Sequence, residues 1–149
     1  MAYLVLMLCA GCLIAMQSPI NATLSRQTGA LEASLFSFLI GALALFCAVL
    51  SFGKGSFFKA FEAPAWQWCG GVLGAAMVFA SILAVPRIGV LATGLAMILG
   101  NLAMAALIDN FGWFGAPVTP FTLRRLIGLC LVLAGLFFIF FKGPLKILP

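Results

Sequence analysis

Five long apolar segments follow one another along this chain, at 2–26, 30–52, 66–85, 88–108 and 123–141. Each holds about the 20 mostly apolar residues that an α-helix needs to cross the hydrocarbon of a bilayer. The pattern predicts an all-α membrane protein, with five transmembrane helices in a single integral membrane domain over residues 1–149. The charge content agrees. Only 7% of the residues are charged, whereas a soluble domain carries about 25% to hold water at its surface. A surface this poor in charge must face lipid.

The interruptions set where the helices end. Between the second and third segments lies GKGSFFKAFEAP, with Lys54, Lys59 and Glu62, which reads as an interfacial loop. Between the fourth and fifth lies DNFGWFGAPVTP, rich in turn formers and aromatics. Trp66, Trp68 and Trp113 fall at segment ends, where an indole ring straddles lipid and water. Thr119 and Pro120 suit the N-cap and first residue of the fifth helix. Pro86 and Arg87 read as a very short turn between the third and fourth. The stretch QSPINATLSRQTG, residues 17–29, is the exception to this punctuation. It reads as the polar continuation of the first helix, ended by Gly29, rather than as a loop.

Several function classes are excluded. There is no histidine, which removes the commonest general base and a common metal ligand. The formal charge is +5, but the basic residues are scattered, and a nucleic-acid surface needs them in a stripe. Cys9, Cys12, Cys47, Cys69 and Cys130 all lie in apolar runs and read as small hydrophobes. No nucleophile–base pair or metal cluster can be assembled, so neither an enzyme nor a cofactor is expected.

Orientation in a membrane follows the Lys and Arg residues of short loops, whose richer side stays in the cytoplasm. With five spans, one side holds Lys54, Lys59, Arg124 and Arg125, and the other holds Arg26, Arg87, Lys142 and Lys146. The bias is zero. Such a chain either inserts both ways and pairs with its inverted copy, or takes one orientation from some other feature. An odd-span unit that is duplicated and fused places its second copy upside down, as in inverted-repeat transporters. A single copy needs a partner to complete the same architecture.

Polar groups at membrane depth are costly unless paired or turned to a cavity, so each is a candidate functional group. Gln17 and Asn21 are four apart and share a helix face. Pro19 between them lacks an N–H and loosens the backbone. Asn101 lies deep in the fourth segment. Two readings stay open for these amides: they meet a solute in a cavity, or they bond a neighbouring helix at about 0.6 kcal/mol each. Of the carboxylates, Glu62 reads as a solvated charge in its loop. Glu32 opens the second helix, where a negative group suits the dipole. Asp109 closes the fourth, at the unfavourable end, and is placed to pair with Arg124 or Arg125. Nothing between Met1 and Arg26 is acidic, so any proton coupling falls to Glu32 or Asp109. Small residues at Gly70 and Gly74, and at Ala92, Ala96 and Gly100, suit close helix contact.

These residues carry a family resemblance over nearly the whole length. Gln17 and Asn21 in the first helix are joined by SFLIGAL from Ser37, GGVLGAAMVFAS from Gly70 and PRIGV from Pro86. DNFGWFG from Asp109 and the helix LRRLIGLCLVLAG complete the series. In their order and spacing the chain resembles the small five-helix membrane proteins named after YdcZ, of the drug/metabolite transporter superfamily. The resemblance implies a multi-pass exporter of the bacterial inner membrane, equal to one half of a ten-helix inverted-repeat transporter. It also implies work as an antiparallel homodimer, a heterodimer pair or a fused protein. One residue departs: Asn101 stands where the resemblance leads one to expect Gln, which shortens the reach of that amide.

The sequence is therefore read as an exporter subunit that meets the bilayer, an inverted copy of itself and a small neutral or weakly polar solute. Gln17, Asn21 and Asn101 are its substrate-binding candidates, with Phe36, Phe38 and Phe79 as aromatic lining. A small dual-topology ion channel and a non-transporting accessory subunit are the rival readings.

Overall fold

A computed structural model describes residues 1–119 and 122–140. Every regular element among the described residues is helical: α1 Ala2–Thr28, α2 Ala30–Phe52, α3 Cys69–Ile88, α4 Val90–Phe111 and α5 Leu123–Phe140. Short 3-10 turns cover Phe57–Glu62, Ala65–Trp68 and Trp113–Gly115. A helix pairs its own backbone groups, which is what allows a lone segment to enter hydrocarbon. Four helical stretches are long and apolar enough to span: Ala2–Thr28, Ala30–Phe52, Ala65–Ile88 and Val90–Phe111. The fifth expected segment, 123–141, coincides with α5 as far as Phe140; Phe141, Lys142 and Lys146 lie outside the described residues.

The chain forms two compact units, Met1–Arg87 and Ile88–Pro149. In the first, α1 and α2 make a hairpin joined by Gly29 alone. The Gly29 N–H donates to the Ser25 carbonyl at 2.9 Å, closing α1, and the Gly29 carbonyl accepts from the Ala33 N–H at 3.0 Å, opening α2. One residue can serve both ends because its backbone sits at φ 99 and ψ 157, a region essentially reserved for glycine. The reading of residues 17–29 as helix rather than loop holds, and α1 runs two residues further than expected, to Thr28. Pro19 does not break it. Ser18 and Thr23 turn their hydroxyls back onto the carbonyls of Ile14 and Pro19, at 3.3 and 2.9 Å.

The third helix packs on this hairpin through Val78 and Ile82, which meet Ala33 with Leu24 and Ala30 at their edge. Gly74 faces the Phe38 ring: a Cβ built there would stand 3.3 Å from Phe38 Cζ, whereas one at Gly70 meets nothing within 4 Å. Of the expected Gly70–Gly74 pair, then, Gly74 is the close-contact position within this unit. Two sequence expectations are corrected here. The third helix does not end at Pro86 and Arg87. It continues to Ile88 and stops at Gly89, with φ 82 and ψ 165. A proline loses its own N–H and crowds the carbonyl four residues back; α3 nevertheless runs through Pro86, and the break falls at Gly89.

The second correction concerns α5. Thr119 is not its cap: its N–H donates to the Asp109 carbonyl at 2.8 Å. The Thr122 carbonyl instead accepts from the Arg125 and Leu126 amides at 3.0 and 3.1 Å, so the helix opens there. Pro120, the other half of that expectation, lies outside the described residues. In this second unit α4 packs along α5. Its C-terminal end is closed by Gly112, whose left-handed backbone at φ 64 returns an N–H to Ile108.

Candidate functional site

Few of the described side chains are buried, and half of those are polar. In the first unit Ala22, Ala33, Val78 and Ile82 are buried along with Ser18, Asn21, Ser34 and Ser81, and in the second Ala92 with Thr93. Ser18, Ser34, Ser81 and Thr93 each give their hydroxyl to a carbonyl of their own helix, at 3.3, 2.8, 2.8 and 2.7 Å. Such groups are self-contained, and their small size admits close packing. Asn21 differs.

Its residue is 5% exposed. Ser37 on α2 donates its hydroxyl to Asn21 Oδ1 at 2.7 Å. Asn21 Nδ2 is buried and has no partner. The Ser37 hydroxyl also lies 3.0 Å from the Ala33 carbonyl, and one hydroxyl carries a single proton. When that proton serves Ala33, the hydroxyl oxygen is free to accept from an amide N–H. In either arrangement one end of the Asn21 amide stays unmatched, and each unmatched buried polar group costs about 1–3 kcal/mol. Ser37 was quoted in the sequence only as part of an apolar motif. Its role follows from a count: Asn21 and Ser37 stand eight residues on either side of Gly29, so a hairpin hinged at Gly29 brings them face to face.

The other candidates lie elsewhere. Gln17 shares the α1 stripe with Asn21 but is exposed in the single chain. Asn101 is exposed near the middle of α4, in the second unit. Gln17 and Asn101 are each twelve residues from a helix-joining glycine, Gly29 and Gly89. At 1.5 Å per residue that is about 18 Å along the axis, near mid-depth of a core about 30 Å thick. Phe36, Phe38 and Phe79 are respectively exposed, exposed and half-buried.

Glu32 stands in the first turn of α2, exposed, with its carboxylate folded against Gly29. That places a negative group at the positive end of the helix. Asp109 is held by Arg125: Nη1 donates to Oδ2 at 3.1 Å, with both side chains 39% exposed. Each sits at the wrong end of its helix, the carboxylate at the C-terminus of α4 and the guanidinium at the N-terminus of α5, so each offsets the other's unfavourable dipole. Of the two arginines weighed from sequence, Arg125 is the partner. At this exposure the pair contributes at most about 1 kcal/mol. Asp109→Asn is therefore expected to lower the unfolding free energy in detergent by less than about 1 kcal/mol; a larger drop would mean that the pair is structural rather than peripheral. A cleft of about 480 Å³ runs between α4 and α5 beneath this pair. Among the described residues no three His, Cys, Asp or Glu side chains gather where they could hold a metal.

Four membrane-length apolar helices describe a multi-pass membrane protein. Comparison with known families bears on this directly: the family described as "Putative inner membrane exporter, YdcZ" matches residues 2–138. The chain belongs to the YdcZ family. The match covers α1 to α4 and nearly all of α5, so it takes in most of both units. The description makes YdcZ a family of exporters rather than of enzymes, and places them in an inner membrane. No curated protein and no solved structure matches the chain.

Proposed function

We propose that this chain is a five-span exporter subunit equivalent to half of a ten-helix drug/metabolite transporter. It works as an antiparallel, dual-topology homodimer and carries a small neutral or weakly polar solute. Gln17, Asn21 and Asn101 are its solute-binding groups, and any proton coupling runs through Glu32 or Asp109.

One observation carries the reading: each of the three amides keeps bonding capacity unused within a single chain. Gln17 and Asn101 are exposed on apolar helices at about mid-depth, and Asn21 keeps a buried Nδ2 without a partner. Lipid offers nothing to bond an amide, so polar groups at this depth turn to protein or to a watery cavity. A second copy of the chain and the solute it carries supply both. The equal division of basic residues, four on each side of five spans, supports insertion in both orientations. An uncharged solute fits because α1 carries no carboxylate with which to hold a cation.

Reporters fused to the carboxyl terminus, one active only in the cytoplasm and one only outside it, are expected to give comparable signals from the same chain. Signal from a single face would end the homodimer reading. In liposomes the expected flux of uncharged solutes is slow and saturable; a rapid ionic current that does not saturate would mean a channel.

A further inference from the structure

We propose that two copies of the chain meet along α4, antiparallel and crossing at Asn101, so that the two Asn101 amides bond each other and together face the solute. The inference rests on the homodimer reading above and names the contact that builds it. It starts from an amide that lipid cannot satisfy.

Asn101 stands eleven residues after Val90 and ten before Phe111, at the centre of α4. It is exposed, and no hydrogen bond holds its side chain among the described residues. In an inverted copy α4 runs the other way, with Asn101 again at its centre and so at nearly the same depth. A residue nearer either end of α4 would meet the opposite end of such a partner. An amide carries a donor and an acceptor side by side. Two amides related by a two-fold axis are therefore complementary in charge and exchange two hydrogen bonds. One N–H and one carbonyl lone pair of each amide stay over for a solute. A single chain supplies only half of that site.

The residues around Asn101 favour the same partner. Ile98 and Met104 lie three residues before and after it, Met97 and Ala105 four, and Gly94 and Ile108 seven, spacings that share one helix face. Ile98, Met104 and Ala105 are exposed, and Gly94, Met97 and Ile108 are half-buried. A Cβ added at Gly94 meets nothing within 4 Å. In an antiparallel pair centred on Asn101, residues equally far before and after it oppose each other. Gly94 then meets the partner's Ile108, and Ala105 meets the partner's Met97, a small residue against a large one each time. A parallel pair would set Met97 against the partner's Met97 and Gly94 against the partner's Gly94, a crowd beside a gap. Interfaces that interdigitate place large against small, and one asparagine in an apolar seam fixes its register.

The first test uses the full chain in membranes, with its five exposed cysteines replaced by serine. Asn101→Cys is expected to oxidise to a disulfide-linked dimer. Ile98→Cys and Met104→Cys chains, made together with different tags, are expected to link to each other and hardly to themselves. The second test keeps the native cysteines and measures the dimer dissociation constant in detergent, so it does not depend on the serine background folding. Asn101→Ala is expected to raise that constant about eightfold, the effect of two interhelical bonds. Ala105→Met is expected to weaken the dimer by crowding the partner's Met97, and Met97→Ala added to it to restore the affinity. Self-linking of the Ile98→Cys and Met104→Cys chains, or no rescue by Met97→Ala, would overturn the proposal. A dimer that forms while Asn101→Cys stays unlinked ends this contact and leaves the homodimer reading standing. No dimer at all ends both.

Discussion

Asn21→Ala is expected to reduce solute export to background while the protein still accumulates, folded, in the membrane. The two halves of that expectation have separate causes. Truncation removes the Ser37–Asn21 hydrogen bond at 2.7 Å, worth about 0.6 kcal/mol in a membrane protein. It also removes a buried donor without a partner, and leaving such a group unmatched costs about 1–3 kcal/mol. The stability change is therefore close to zero or favourable. Export loses the one buried amide that has bonding capacity to spare. Ser37→Ala keeps the amide and releases its orientation, so it is expected to weaken export less than Asn21→Ala. Gln17→Ala and Asn101→Ala are expected to abolish export with folding intact, since both side chains are exposed in the single chain. The measurement pairs initial rates in liposomes, over a panel of uncharged radiolabelled solutes, with thermal unfolding of the same preparations. If Asn21→Ala instead lost folded protein in step with activity, the amide would be a helix–helix bond and not a solute contact.

The long apolar helices were open to reading from sequence because a lipid-facing segment must be apolar along its whole length. Ala30–Phe52 matches its expected bounds at both ends, and α1 follows its polar extension to the glycine. Errors gathered where a local rule meets a helix end. Pro86 was read as a stop, yet α3 runs through it, and the helix breaks at Gly89, whose φ of 82 and ψ of 165 lie outside the helical range. Thr119 was read as a cap from residue type, but its amide is drawn to the Asp109 carbonyl. At the site, a shared helix face for Gln17 and Asn21 followed from their spacing. Their different burial did not, because it depends on which neighbour covers each turn. Arg124 and Arg125 are adjacent and alike in sequence, and only the packing of α4 on α5 selects Arg125 for Asp109.

The larger structural effect is expected at the glycines that join helices. Gly29 and Gly89 are sixty residues apart and adopt nearly the same backbone, φ 99 with ψ 157 and φ 82 with ψ 165. The buried residues repeat at the same offset: Ser18, Asn21 and Ala22 before one joint, Val78, Ser81 and Ile82 before the other. A side chain in this region costs of the order of 1–3 kcal/mol, so both Gly29→Ala and Gly89→Ala should destabilise by about that much. Their surroundings make them unequal. At Gly89 an added Cβ meets nothing within 4 Å, whereas at Gly29 it collides with the Glu32 carboxylate. That carboxylate ends a flexible side chain and can swing away, but it then gives up its place at the start of α2, worth about 0.3–1 kcal/mol. Gly29→Ala is thus expected to be the more damaging by about that margin. In a Glu32→Gln background the margin should shrink, since the favourable charge is already gone. Unfolding midpoints in a single detergent, measured for the two glycine variants with and without Glu32→Gln, test the whole chain of reasoning. Wild-type stability in both alanine variants would show that neither joint needs a glycine. A margin unchanged by Glu32→Gln would show that the Glu32 carboxylate plays no part in it.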